Sequence, residues 1–113
     1  MINVLFYIER SPAADSPEYK DRASQLMQIV SKDPDFVAIK GFTAADGEFV
    51  YIIKFKTEQA LENWRNNPEH REAMGLGKEK FYKSYQMEVC SVTRKYAFPT
   101  EKGHTRYSAE TQS

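Results

Sequence analysis

Segments with strand-like and helix-like patterns alternate along this chain, and their order constrains the fold more than any single motif does. Residues 2–8 are rich in Val, Ile, Phe and Tyr and alternate weakly, which is typical of a strand. Ser16 and Pro17 suit a helix start, and the apolar residues that follow recur at helical spacing. The first third of the chain therefore predicts a strand and then a helix over residues 17–32.

A hairpin is predicted next. Residues 36–43 and 49–56 both have extended patterns, and the Asp46-Gly47 dipeptide between them is a favoured hairpin turn. The two segments should therefore pair as antiparallel strands. We expect Gly41 to mark a β-bulge in the first of them.

The second half of the chain predicts further helices and a last strand. A second helix is expected to end before Pro68, and its inner stripe consists of Ala60, Leu61 and Trp64. A short helix over residues 68–74 should then give way to a turn at Gly75 and Gly77. Residues 85–98 predict a long final strand. The element order is thus β-α-β-β-α-β.

This order builds an α+β, ferredoxin-like domain in which helices cover one face of an antiparallel sheet. Strands one, three and four carry large apolar residues on both faces, as in Leu5 and Phe6. A second subunit is expected to cover the other face, which gives a barrel-like homodimer. Residues 1–98 form the predicted domain. The polar residues 99–113 are either a mobile tail or an arm that crosses the dimer.

Composition excludes several classes of function. The 113 residues make one domain, and 16 basic residues balance 16 acidic ones, which does not favour nucleic acid as a partner. No apolar run reaches the roughly 20 residues of a membrane span. The single Cys and the absence of a signal-like start predict a cytoplasmic location. The dispersed Cys and His residues form no zinc pattern and the glycines form no phosphate loop.

One region of the chain carries a distinctive set of residues. The set comprises the Ala-Leu-Glu-Asn-Trp run of residues 60–64, residues 68–71 (Pro-Glu-His-Arg), Gly77, Phe81, Tyr82, Tyr85 and the β-rich residues 89–96. This set resembles the antibiotic biosynthesis monooxygenase family. It implies a dimeric α+β barrel. It also implies oxygenation of small aromatic or quinol-type substrates without metal or flavin, while related members degrade haem.

The chain departs from both characterised branches of this family. The polyketide oxygenases carry an Asn one helical turn before the Trp, where this chain has Ala60. Asn63 is adjacent to Trp64 and points about 100° away on a helix, so it is no equivalent. The haem-degrading branch uses a first-strand Asn and a His about ten residues after the Trp, where this chain has Glu9 and Met74. These departures disfavour haem degradation.

The candidate site follows from the chemistry that such an oxygenase needs. His70 is the predicted base, since its unperturbed pKa lies near 6.5, and Trp64 is the second predicted catalytic residue. The predicted substrate-binding residues are Phe81, Tyr82, Tyr85 and Arg94. The aromatic rings would hold the substrate ring, while Arg94 or Lys54 would stabilise its anion. No cofactor is expected, and the predicted partners are a small aromatic molecule, molecular oxygen and a second subunit.

Each of these residues also has a structural interpretation. Trp64 on a helical stripe is more often part of the core, and His70 near a helix start more often caps or bonds a loop. Cys90 is expected to be a small buried group. Three functions therefore remain open: a cofactor-free monooxygenase, a non-catalytic module that binds or senses a small ligand, and a haem-binding protein.

Overall fold

The computed structural model describes residues 1–99 as a four-stranded antiparallel sheet with helices over one face. The elements are β1 (Ile2–Arg10), α1 (Pro17–Val30), β2 (Phe36–Thr43), β3 (Phe49–Phe55), α2 (Glu58–Arg65), α3 (Pro68–Leu76) and β4 (Tyr82–Ser91). A 3₁₀ turn (Pro12–Asp15) precedes α1, and a π-helical turn (Gly77–Phe81) follows α3. The strands lie in the order β2-β3-β1-β4. The predicted ferredoxin-like fold is confirmed.

Alternation along β1 separates the two faces of the sheet. Its even-numbered residues from Ile2 to Ile8 are buried, whereas Asn3, Leu5 and Tyr7 on the other face are only half-buried. The helices therefore cover the face to which Phe6 belongs, because strand side chains point alternately to opposite sides.

The core lies where α1 and α2 meet this covered face. It consists of Ile2, Val4, Val30, Phe55, Ala60 and Leu61, with Phe36, Ile53 and Trp64 packed against it. Phe55 is 1% exposed, and its ring meets that of Phe36 edge-to-face at 5.8 Å. This cluster fixes the last turn of α2, which carries Trp64, relative to the sheet.

Side-chain caps set the start of each helix. The Ser16 Oγ accepts a hydrogen bond from the Tyr19 backbone N–H at 3.3 Å, and the Thr57 Oγ1 accepts one from Ala60 at 3.1 Å. At α3, the Asn67 Oδ1 accepts from the His70 backbone N–H at 3.1 Å. Each cap satisfies an N–H that has no partner within its helix.

Three local predictions were wrong. The last strand spans Tyr82–Ser91 and not residues 85–98, because its partner β1 begins at Ile2, which pairs with Ser91. Gly77 does not form a turn with Gly75, since the chain stays helical through Leu76 into the π turn.

The third wrong prediction concerns the bulge of β2. The register shifts between Phe36 and Ala38, and not at Gly41. Gly41 instead faces the rings of Phe49 and Tyr51, where a Cβ would approach the Phe49 Cζ to 2.6 Å. A glycine here leaves room for these aromatic rings.

The face of the sheet opposite the helices has no cover within residues 1–99. Phe42 is 48% exposed there, and Cys90, which pairs with Asn3, is exposed. The expectation that Cys90 is buried is therefore wrong for the single chain. Within residues 1–99, no helix has both the length and the apolar character needed to cross a membrane. The predicted tail, apart from Pro99, lies outside the described residues.

Candidate functional site

A cavity of about 360 Å³ lies between the covered face of the sheet and the helices. Phe6, Tyr51 and Ile53 contribute from the sheet, and Tyr19 and Leu26 contribute from α1. Its walls are mostly apolar and aromatic. Both the volume and the lining are typical of a site for a small organic molecule.

Trp64 and His70 stack against each other at this cavity. Their ring centroids are 4.4 Å apart with an angle of 29° between the planes. Trp64 lies in the last turn of α2 and His70 in the first turn of α3. The connection is held tight because the Asn67 N–H donates to the Trp64 carbonyl at 3.1 Å and the Asn67 side chain caps α3. The sequence thus brings its two predicted catalytic residues together through one short loop.

The His70 Nδ1 is buried and has no hydrogen-bond partner among residues 1–99. Burial lowers the pKa of His70 from its usual value near 6.5, and a hydrogen bond between the His70 ring and the Trp64 backbone opposes this only in part. The ring is therefore neutral at neutral pH. A neutral imidazole has one nitrogen that can accept a proton, so His70, which lines the cavity, can act as a base there.

Three tyrosines come together at the same cavity. The ring of Tyr82 meets that of Tyr19 edge-to-face at 6.3 Å and that of Phe6 at 5.8 Å, while Tyr51 stacks near Phe6 at 6.5 Å. Burial and the neighbouring Tyr82 raise the pKa of Tyr19 to about 12. Burial likewise raises the pKa of Tyr51 and of Tyr82. All three hydroxyls stay protonated near neutral pH.

One positively charged side chain at the cavity links two of its covering helices. Arg22 of α1 lines the cavity, and its Nη1 lies 3.2 Å from the Oε1 of Glu72 on α3. The Glu72 side chain is 65% exposed. Because an exposed ion pair contributes only about 0–1 kcal/mol, Arg22 can exchange this carboxylate for an anionic ligand at small cost.

Of the other predicted site residues, some line the cavity and others do not. Phe81 and Tyr82 line the cavity, and Phe81 is buried against Tyr19 at 5.1 Å. Tyr85 touches Phe6 and Tyr82 but does not line the cavity. Arg94 is exposed, and its Nη1 donates to the Tyr96 hydroxyl at 3.0 Å. The structure therefore does not bring Arg94 to the cavity.

Sequence reasoning missed Tyr19, Tyr51 and Arg22 as cavity residues. The sequence pattern places Tyr19 among the apolar residues of α1 and Tyr51 in a strand, and it gives no further sign of a site. Their common location depends on β3 lying beside β1 and on the way α1 crosses the sheet. The signal that the sequence offers for such cavity residues is a side chain with a polar end at a position that faces the interior. Lys54, the alternative anion-binding residue, lies near Asn3 on the other face.

A metal site is not evident in the part of the chain that the structure describes. No three His, Cys, Asp or Glu residues are grouped there so as to hold a metal ion. The cavity is lined instead by aromatic rings, tyrosines, one histidine and the two arginines Arg22 and Arg65.

The fold and the cavity define a ferredoxin-like domain with an aromatic cavity between its sheet and its helices. The family model of the antibiotic biosynthesis monooxygenases matches residues 1–76, and the chain belongs to this family. The chain is 26% identical over 80 residues to the protein YqjZ of Bacillus subtilis, which covers 71% of this chain and 70% of YqjZ.

Solved structures share the fold at low sequence identity. Rv0793 from Mycobacterium tuberculosis superposes with a TM-score of 0.68 at 14% identity, over 85% of this chain and 98% of that one. A mutant of SnoaB, a cofactor-independent oxygenase from Streptomyces nogalater, superposes with a TM-score of 0.66 at 10% identity, over 82% and 93% of the two chains. At such identities the likeness establishes the fold.

Proposed function

We propose that this protein oxygenates a small aromatic or quinol-type molecule without a cofactor, with His70 as the base. The observation that carries the proposal is the position of the His70 ring, which stacks on Trp64 at the wall of an aromatic cavity. Membership of the family and the fold shared with a cofactor-independent oxygenase support it.

The chemistry requires a substrate anion. Molecular oxygen is a triplet and reacts slowly with singlet organic molecules, whereas a phenolate or hydroquinone anion can pass an electron to it. His70 takes the proton from the substrate at the ring nitrogen that carries no hydrogen, and it becomes an imidazolium beside the anion. One oxygen atom then enters the substrate, and the other leaves as water with two hydrogens that the substrate supplies.

The cavity residues assist by position and charge. Trp64 supports the imidazole through the stacked rings, and the apolar walls exclude water, which strengthens the attraction between imidazolium and substrate anion. Arg22 is a better candidate than Arg94 for stabilising that anion, because Arg22 lines the cavity and Arg94 is exposed.

Oxygen consumption tests this function. Chelator-treated protein is assayed with hydroquinones, anthrones and catechols, beside His70→Gln and a control, Tyr96→Phe, whose residue is exposed and does not line the cavity. We expect uptake in the wild type and in Tyr96→Phe, and a loss of about 100-fold or more in His70→Gln, as is usual when a general base is removed. Equal uptake in His70→Gln would overturn the assignment of the base.

A second candidate function is ligand binding without turnover. It is favoured by Ala60, which is 2% exposed and occupies the place one turn before Trp64 where characterised oxygenases carry a polar residue. Thermal stabilisation by an aromatic ligand with no oxygen uptake would identify this function. A Soret band on haem titration would identify the third alternative, and a flat titration would remove it.

We further propose that the open face of the sheet pairs with that of a second subunit. Leu5 lies there beside Ile52, and Tyr7 lies beside Val50. An uncovered apolar sheet face is a common site of association. Leu5→Glu should convert the dimer to monomer in size-exclusion chromatography with light scattering, whereas Gln25→Glu on the exposed surface of α1 should not. A monomeric wild type would contradict the pairing.

A further inference from the structure

We propose that the ion pair between Arg22 of α1 and Glu72 of α3 is a latch over the entrance of the cavity, and that ligands enter between these two helices when the pair separates. Such a latch governs access to the cavity and not the chemistry inside it. It would therefore serve a catalytic protein and a purely ligand-binding one alike.

The cavity lies directly behind the line along which α1 faces α3. Arg22 and Ala23 line it from α1, and Ala73 and Met74 line it from α3. The latch crosses this line, with the Arg22 Nη1 at 3.2 Å from the Glu72 Oε1. Because cavity-lining residues lie beside the latch on both helices, a small separation of α1 from α3 at this point would connect the cavity with solvent.

The latch is weak enough to open. Within residues 1–99, it is the only hydrogen bond or ion pair that joins α1 to α3. Both side chains remain in contact with water, since that of Arg22 is 29% exposed and that of Glu72 is 65% exposed. Water and salt compete with such a pair, so its net contribution to stability is small. It can keep the entrance closed for most of the time and still let a ligand pass.

The start of α1 and the residues before it are attached much more firmly to the π-helical turn. The Ser11 N–H donates to the Phe81 carbonyl at 2.8 Å, and the Ser11 Oγ donates to the Lys80 carbonyl at 2.6 Å. The ring of Tyr19 also packs against that of Phe81, and the Lys80 Nζ lies 2.7 Å from the Glu18 Oε1. We therefore expect this end of α1 to stay closed while the end that carries the latch opens.

The exposure of the cavity wall also points to the end that carries the latch. Met27, little more than one turn beyond Arg22, lines the cavity and is 38% exposed. Phe81, at the firmly attached end, lines it and is 2% exposed. Met87 on the edge strand β4 also lines the cavity, with 41% exposure, and marks the competing entrance. Entry kinetics of suitable variants distinguish the two routes.

Stopped-flow fluorescence with iodobenzene, a neutral heavy-atom quencher, measures entry, because Trp64 is the single Trp and lines the cavity. Glu72→Gln removes the latch without changing the cavity wall, to which Glu72 does not contribute. It should raise the association and dissociation rates of the saturable phase together, by about two- to fivefold, with little change in Kd, as the loss of an exposed ion pair allows. The reversed pair, Arg22→Glu with Glu72→Arg, should return both rates to the wild-type values.

Two controls and a salt titration complete the test. Lys80→Gln breaks the other exposed ion pair of α1, at the firmly attached end, and should leave both rates unchanged. Met87→Ala widens the competing route and should leave the association rate unchanged. Raising NaCl from about 50 mM to about 500 mM should speed entry into the wild type but not into Glu72→Gln, because salt screens the latch.

Several results would overturn the latch. They are an association rate in Glu72→Gln that is unchanged or lower, an equal acceleration in Lys80→Gln, and a reversed pair that stays fast. Acceleration in Met87→Ala alone would place the entrance at β4 instead. A lack of saturable quenching would remove the latch too, since an entrance requires a site behind it. Oxygen uptake that depends on His70 is measured separately, so the proposed function can stand when the latch fails.

Discussion

His70→Phe should stabilise the protein while it abolishes the proposed activity. The His70 Nδ1 is buried without a partner, and an unsatisfied buried polar group costs about 1–3 kcal/mol. A phenyl ring removes that atom and can keep the stacking on Trp64, whose centroid lies 4.4 Å away. The cap of α3 is retained, because Asn67 accepts from the backbone N–H and not from the side chain. We expect a gain of about 1–2 kcal/mol, because His70 is only partly buried.

The sign of the pH dependence sharpens this prediction. Burial lowers the pKa of His70 in the folded state, so the unfolded chain binds a proton more readily than the folded one. The contribution of His70 to stability is therefore complete above the unfolded value near 6.5 and is lost as the pH falls below it towards the folded pKa. The advantage of His70→Phe should grow over this acidic range.

Thermal unfolding between pH 8 and pH 5 is the assay. One kcal/mol corresponds to about 4 °C in Tm for a domain of this size, so His70→Phe should melt about 4–8 °C higher at neutral pH. His70→Gln is the control. Glutamine does not titrate but remains polar, so this variant should lose the dependence of Tm on acidic pH and should gain less stability than His70→Phe. A lower Tm for His70→Phe would refute the reasoning and indicate that His70 is a satisfied structural residue.

Four further substitutions test the packing and one helix cap. Phe55→Ala should cost about 3–5 kcal/mol in urea unfolding, because this ring is 1% exposed in the core; a cost below 1 kcal/mol would contradict its assigned position. Gly77→Ala should destabilise by about 1–3 kcal/mol, since its Cβ would lie 2.6 Å from the Tyr82 Cε2, whereas Gly75→Ala, with nothing within 4 Å, should stabilise the helix. The opposite order would refute this. Thr57→Ala should lower the unfolding free energy by about 1 kcal/mol through the lost cap, and an unchanged value would show that the cap is dispensable.

The fold was predictable because local signals agreed with one another. Ser16 and Pro17 start α1 as expected, and the Asp46-Gly47 turn joins β2 to β3, with Gly47 at a positive φ of 94°. The end of the last strand was not predictable from β propensity. It depends on where β1 begins, which is a property of pairing between distant segments.

The site was predictable only in part. Trp64 and His70 are six residues apart and meet through a short loop, so the sequence alone pointed to them. Tyr19 and Tyr51 come from distant elements, and nothing in their local sequence shows that they share a wall. Arg94 is the opposite case. Its place in the sequence pattern predicted a binding residue, but it follows the last strand, is exposed and does not line the cavity.

The most direct test of the proposed function is oxygen consumption by chelator-treated protein with an anthrone or hydroquinone substrate, measured for the wild type and His70→Gln side by side. The account predicts uptake that survives the chelator and falls by about 100-fold or more in the variant, with the fold retained by circular dichroism. Uptake that the variant keeps, or that the chelator abolishes, would contradict it.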